Sequence, residues 1–347
     1  MDHWHDRCKG TWTTEVTVSR SLAAALLLAP LAACSSDSSF VARSQLDVFE
    51  QVPNDEVDIL FVVDDSSSMA EEQNALNRGF GGFMDQIREV NSKFHLGVVS
   101  TSADTGDPNA GRLLGEPAVL TSKDDYLSAF RDRAMMGTGG SDKEQGLWAA
   151  ELALSPERLA GYNKGFLRDD ATLLVAFVTD EEDCSHGGLL DGQESTTCYT
   201  ALDELTPVDH FLDAYAAAKG GDRERVRVGA IVGPRGDDRC ETAYPGERYA
   251  RLAVETGGLI GDICESDWSD MLSRLGLAAA GVRESFTLSY DAVPETLLVA
   301  IDGEEVDEDE RHGWTYDPSS ALLMFHGDAV PPRGSEIVVE YDIVTGL

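Results

Sequence analysis

Basic residues are scarce in this chain. Lys and Arg number 27 against 63 Asp and Glu, a formal charge of −36 over 347 residues. A field of that sign repels phosphate backbones, so nucleic acid is not expected as a partner. Long apolar runs are also missing. No stretch of about 18 apolar residues marks a membrane-spanning helix, although a hydrophobic content of 42% is enough for a substantial core. The six cysteines include no Cys-x-x-Cys pair and the seven histidines no His-x-x-x-His spacing, which argues against a zinc site. Ser66 lacks the Gly-x-Ser-x-Gly setting of a hydrolase nucleophile.

What is present is concentrated first in residues 57–69, Val-Asp-Ile-Leu-Phe-Val-Val-Asp-Asp-Ser-Ser-Ser-Met. Ile59 to Val63 is a continuous apolar run rich in β-branched and aromatic side chains. It predicts a strand buried on both faces, as in a parallel sheet covered by helices. Polarity then inverts within one residue, and loops at the carboxyl ends of such strands carry the sites of open α/β sheets. Asp64, Ser66 and Ser68 make an Asp-x-Ser-x-Ser pattern of hard oxygen donors that suits Mg²⁺ or Ca²⁺. The plainer alternative is that they cap the following helix, since Ser and Asp are favoured N-caps.

A second stretch repeats the inversion. Leu173 to Asp183 reads Leu-Leu-Val-Ala-Phe-Val-Thr-Asp-Glu-Glu-Asp, a buried-strand run ending in acid at Asp180. Two central strands that end this way place Asp64 and Asp180 on one sheet edge, close enough to share a cation. Clustered carboxylates repel one another without a cation or good solvation. Glu181, Glu182 and Asp183 read as a solvated acidic turn. Between the two stretches, the glycine-rich segment from Met136 to Gly146 leads into an apolar-periodic helix, Leu147 to Leu154. There Ser141 and Glu144 have the spacing of a capping box.

These segments together resemble the metal-ion-dependent adhesion site of von Willebrand factor A (VWA) domains, over roughly residues 55 to 280. The resemblance implies metal ligation by Asp64, Ser66, Ser68 and Asp180. It also implies a hydroxyl from the glycine-rich loop: counting back from Gly146-Leu147 selects Ser141 where the family uses threonine, and Thr138 is the nearest threonine. The cofactor implied is Mg²⁺, with Ca²⁺ or Mn²⁺ as alternatives, and the partner a protein presenting an acidic residue. A metal-dependent hydrolase using Asp64, Asp180 and His186 is the competing expectation, and a purely structural metal the third.

The amino terminus points to export. Leu22 to Ala33 is a short apolar segment after Arg20, and it ends in Leu31-Ala32-Ala33-Cys34. That resembles a bacterial lipoprotein signal, with Cys34 as the lipidated residue and Ser35 after it suggesting outer-membrane sorting. Acidic residues before Val16 suggest that the true start lies later. Four cysteines then remain, and an even count in an exported chain favours disulfides. Sequence order suggests Cys184–Cys198 and Cys240–Cys264, with other pairings open.

The expected organisation is a signal segment over 1–34, a Ser-rich tether over 35–54, and an α/β domain over 55–282. That domain has a doubly wound, mostly parallel sheet of VWA or Rossmann-like type. A small all-β, sandwich-like domain is expected over 283–347, where strand-like runs alternate with turns at Asp302-Gly303, Asp317-Pro318 and Pro331-Pro332.

Overall fold

The computed structural model describes residues 41–51, 56–89, 93–236, 240 and 242–345. The expected signal segment, Cys34 and the start of the expected tether lie outside them. The apolar run after residue 56 forms β2 (Glu56–Val63), in which every residue after Glu56 is buried. It lies between β3 (Lys93–Ser100) and β4 (Thr172–Val178), parallel to both. Next to β4 come β5 (Val226–Val232) and β6 (Ile260–Asp262), also parallel, giving a five-stranded sheet in the order β3-β2-β4-β5-β6. The chain leaves β2 toward β3 and returns past it to β4. Strand order therefore reverses between β2 and β4, the switch point at whose carboxyl edge open α/β sheets place their ligand sites.

Helices cover both faces, because both faces of the central strands are apolar. On one side α1 (Ala70–Glu89), α2 (Tyr126–Ala134) and α7 (Ser269–Ala279) set Leu76, Phe80, Phe130 and Leu272 on Ile59, Phe61 and Val63. On the other, α3 (Gly146–Ala153), α5 (Val208–Ala218) and α6 (Glu247–Glu255) set Leu147, Phe211, Tyr215 and Tyr249 on Leu60, Val62, Val175 and Phe177. The short α4 (Pro156–Ala160) follows α3. The α1 glycines serve a helix neighbour rather than the sheet. A Cβ on Gly79 would stand 2.5 Å from Leu272 Cδ1, and one on Gly276 in α7 would stand 2.5 Å from the Phe83 carbonyl. At the amino end of β2, fully buried Asp58 accepts from Arg168 Nε at 2.8 Å and pairs with the buried Lys219 ammonium at 3.5 Å.

The carboxyl-terminal region is a pair of antiparallel sheets. One contains β8 (Leu298–Ile301), β9 (Glu304–Val306) and β12 (Glu336–Thr345); the other is β7 (Ser285–Thr287), β10 (Trp314–Asp317) and β11 (Leu322–Phe325). Phe286, Val299, Trp314, Leu323, Ile337 and Tyr341 fill the space between them. One expectation is corrected here. Residues 41–50, read as tether, form β1 (Val41–Glu50), which pairs with β12 along its whole length, from Val41 opposite Thr345 to Glu50 opposite Glu336. Buried Gln51 then ties the strand's end to the Arg283 and Pro331 carbonyls at 2.8 and 2.9 Å. The α/β sheet is thus an insertion between two paired strands of the β region.

At the edge of β3, Leu120 makes a single antiparallel bridge with Leu96. Helix α2 is capped by Asp125, which accepts from Ser128 N.

Candidate metal centre

β2 and β4 end in register, Val63 opposite Val178. The next residues, Asp64 and Thr179, therefore meet at the sheet edge, and Asp180 follows one step on. Asp64 is fully buried, and its backbone N–H donates to the Val178 carbonyl at 3.0 Å. Its carboxylate accepts from Ser66 N at 2.7 Å through Oδ1 and from the Thr179 hydroxyl at 2.6 Å through Oδ2. Burial pushes its carboxyl up to about 6, the Asp180 charge adds to that, and the Thr179 and Ser66 hydrogen bonds oppose it. Ser66 Oγ and Ser68 Oγ stand 3.1 Å apart, the former buried and the latter exposed. Gln73, buried at the start of α1, donates to the carbonyls of Asp64 and Gly137, each at 2.9 Å, and so joins the first loop to the glycine-rich one.

Asp180 is 4% exposed, and its Oδ1 is buried without a hydrogen-bond partner. Desolvation raises its carboxyl above the ordinary value, while a Ser68 hydroxyl contact opposes the rise. Asp65 holds the glycine-rich loop. Its Oδ1 accepts from the hydroxyls of Ser100 and Ser102 at 2.7 and 2.8 Å, and its carbonyl from Gly140 N at 2.8 Å. Ser141 N donates to Ser102 Oγ at 2.8 Å, while Ser141 Oγ donates to Asp104 Oδ1 at 3.4 Å and accepts from Lys143 N at 3.2 Å. Thr138 is exposed. Of the two residues that could supply a hydroxyl from this loop, Ser141 is the one whose backbone N–H ties it to the β2 loop through Ser102 and Asp65.

The acidic turn after Asp180 is not solvated as expected. Asp183 is fully buried, taking Leu147 N at 3.0 Å, the Ser185 hydroxyl at 2.7 Å and Arg248 Nε at 2.9 Å. Glu182 accepts from Glu247 N at 2.8 Å and Arg248 N at 3.1 Å, capping α6. Only Glu181 lacks such a helix-capping role; burial, with the charges of Asp64 and Asp180, lifts its carboxyl to about 7. Glu182 is likewise lifted to about 7 by burial.

The capping box at Ser141 does not form either. Helix α3 begins at Gly146, and its first N–H groups go to Tyr249 Oη at 3.2 Å, Asp183 Oδ1 and Ser185 Oγ. Glu144 is left instead as a residue the motif missed. It is 1% exposed, and neither carboxylate oxygen has a hydrogen-bond partner. Burial first, then the charges of Asp64, Asp65 and Glu181, hold its carboxyl well above the usual range.

Both expected disulfides are present, Cys184–Cys198 and Cys240–Cys264. They pin two rim loops whose aromatic residues meet, with the Tyr199 and Tyr244 rings 5.0 Å apart; Tyr244 N donates to the Asp180 carbonyl at 2.7 Å. His186 is buried, and its Nδ1 accepts from Gly188 N and Leu190 N at 3.0 and 3.3 Å. Among the described residues, the one trio of Asp, Glu, His or Cys ligand atoms lying within 4.8 Å of one another is Cys240, Asp262 and Cys264. Its two sulfurs are spent in the disulfide. A cation at Asp64 would therefore draw on hydroxyls as well as carboxylates.

No known protein-family profile matches the chain, and no curated protein matches it. Similar solved structures include proximal thread matrix protein 1 (PTMP1) from the mussel byssus, at 16% identity and a TM-score of 0.35, covering 70% of this chain and 51% of that one. The pilus adhesin RrgA from Streptococcus pneumoniae is 10% identical over 88% of this chain and 58% of its own, with a TM-score of 0.35. The pilus adhesin SpaC from Lactobacillus rhamnosus GG, in its open conformation, is 12% identical over 87% of this chain and 42% of its own, again at 0.35. The chain spans roughly half the length of each of these proteins. At such TM-scores the likeness assigns it neither a fold family nor an activity.

Proposed function

We propose that this chain is a binding protein that holds a divalent cation, Mg²⁺ or in its place Ca²⁺ or Mn²⁺, at the carboxyl edge of its parallel sheet. Asp64, Ser66, Ser68 and Asp180 would hold it, with Ser141 ahead of Thr138 as the contribution of the glycine-rich loop. The observation that carries this reading is Asp180 Oδ1, a buried carboxylate oxygen with no hydrogen-bond donor, beside two hydroxyls 3.1 Å apart and a second buried carboxylate. A buried orphan oxygen of that kind calls for an ion or a water to satisfy it. The donor set is all hard oxygen, which fits Mg²⁺, Ca²⁺ or Mn²⁺ and not a soft metal.

A cation so bound would offer an open coordination position to a carboxylate on a protein partner. Ser68 and the glycines at 137, 139 and 140 are exposed, which leaves that approach free of side-chain bulk. The hydrolase alternative finds less support. His186 is buried with Nδ1 committed to two backbone donors, so it is poorly placed to activate a water. No described helix is long and apolar enough to cross a membrane, and we propose attachment to the bacterial outer membrane through a lipid on Cys34.

The test is calorimetric titration with Mn²⁺, paired with recovery of envelope partners in Mg²⁺ and in chelator. Asp180→Ala is expected to weaken Mn²⁺ binding at least tenfold while the fold persists, and partner recovery should require metal. Unchanged affinity in that variant would refute the site.

A further inference from the structure

We propose that Glu144 is a further carboxylate of this cation site, answering to the metal through a bridging water. The inference rests on the metal reading above and goes beyond its ligand set, since no Asp-x-Ser-x-Ser logic selects Glu144. Two observations carry it.

The first is the burial of an acid with nothing to hold it. Glu144 is 1% exposed and neither of its oxygens has a donor in hydrogen-bond geometry; the buried Thr101 hydroxyl makes a looser contact that only partly offsets the burial. A bare buried carboxylate is costly, and such groups in folded proteins are paired or face an ion. The second is direction. Thr101, bonded to the backbone next to Glu144, donates its own N–H to the Val63 carbonyl at 3.1 Å, so Glu144 lies beside the loop that carries Asp64, and the charges of Asp64, Asp65 and Glu181 act on its carboxyl. Its backbone is fixed in that pose: its carbonyl accepts from Cys184 N at 2.6 Å, and Gln145 N donates to the Thr101 carbonyl at 3.1 Å. Mg²⁺ commonly keeps several of its waters, and outer-shell carboxylates hold such waters in place. With Glu144 in the set, the cation would be resident, retained before any partner arrives.

The experiment is Mn²⁺ titration of the mature protein by calorimetry, with electron paramagnetic resonance of bound Mn²⁺. Wild type is compared with Glu144→Gln, Glu144→Asp and Asp180→Ala, and thermal melts are run with and without metal. Glutamine keeps the shape and the contact with Thr101, but it carries no charge. Glu144→Gln should weaken Mn²⁺ at least tenfold, the range seen when outer-shell partners are removed. It should also alter the bound-ion spectrum, and its metal-free melting temperature should stay level or rise. Glu144→Asp should recover part of the affinity. Should Glu144→Gln bind Mn²⁺ as wild type does while Asp180→Ala does not, the site stands and Glu144 is a structural acid leaning on Thr101. Wild type that takes up no Mn²⁺ overturns the metal reading and this inference with it.

Discussion

Stability of the metal-free protein should fall as pH rises from 5 to 7.5. Asp64 is fully buried and its carboxyl is lifted from 3.8 to about 6. A raised folded value means the native state binds more protons than the unfolded chain, so unfolding free energy drops with pH. The contribution is complete below about 4, where both states are protonated, and it is gone above the folded value. Between pH 5 and 7.5, Asp64 alone accounts for about 1.4 kcal/mol of loss, from the proton-binding difference integrated over that window. Glu181 and Glu182, each lifted to about 7, act in the same direction over the same range. Their partial exposure screens them, and the sum is on the order of 3 kcal/mol.

Burial also raises the carboxyls of Asp180, Glu144 and Glu72, which act in the same direction. Burial depresses the His186 imidazole, which adds stability as pH rises through 6.5 and so opposes the acids. Asp267, Asp309 and Asp317 lie below the ordinary value, are ionised in both states across this window, and leave the slope alone. The assay is urea denaturation at pH 5, 6 and 7.5 in chelator, repeated in Mg²⁺, for wild type and Asp64→Asn. Mg²⁺ should flatten the decline, because a cation replaces protons in neutralising the cluster, and Asp64→Asn should reduce it in chelator. Stability that is level or rises with pH in chelator would refute the reasoning, as would a slope that Asp64→Asn leaves untouched.

Asp183→Asn should destabilise the fold by about 2–3 kcal/mol, because it removes the charge that pairs Arg248 and weakens the cap on α3. Its Mn²⁺ affinity should stay within about threefold of wild type, and an affinity loss without a stability loss would contradict its structural assignment. Cys34→Ala should accumulate as an unprocessed precursor without lipid label; normal processing and membrane retention of that variant would dismiss the lipid anchor.

The parts of this fold that could be read in the sequence are those whose signal is local. Ile59–Val63 and Leu173–Val178 are apolar without interruption because both their faces are covered, and each stops at an acid. That alone placed Asp64 and Asp180 at one edge, and the register of β2 and β4 brings them there. Strand β1 could not be read the same way. Its sequence, Val-Ala-Arg-Ser-Gln-Leu-Asp-Val-Phe-Glu, mixes charge with apolar residues, and its partner β12 lies almost three hundred positions away. The acidic turn hid its structure for a similar reason. Glu181, Glu182 and Asp183 look alike in sequence, but the donors that distinguish them, Leu147 N, Glu247 N and Arg248, come from α3 and α6. Glu144 was masked by its own motif: Ser-x-x-Glu reads as a capping box, while the helix starts two residues after the glutamate.

The oxygens around this edge fall into two sets, and the division decides what each can do. Asp64 is held by Ser66 and Thr179, Asp65 by Ser100 and Ser102, Glu182 by the start of α6, and Asp183 by the start of α3 and Arg248. Those bonds form without any ion, and they fix three loops from distant parts of the chain against one another. Asp180 Oδ1 and both oxygens of Glu144 are buried with no donor in hydrogen-bond geometry, and so is Glu72 Oε2 at the start of α1. The committed carboxylates therefore pre-organise the edge, and the uncommitted ones carry the charge that the proposed cation would neutralise. Substitutions in the first set should be felt mainly in the stability of the metal-free fold. Substitutions in the second should be felt mainly in cation affinity, with the metal-free fold unharmed or steadier. Asp64 belongs to the first set by its hydrogen bonds and is at the same time a proposed cation ligand, so its loss should register in both measurements.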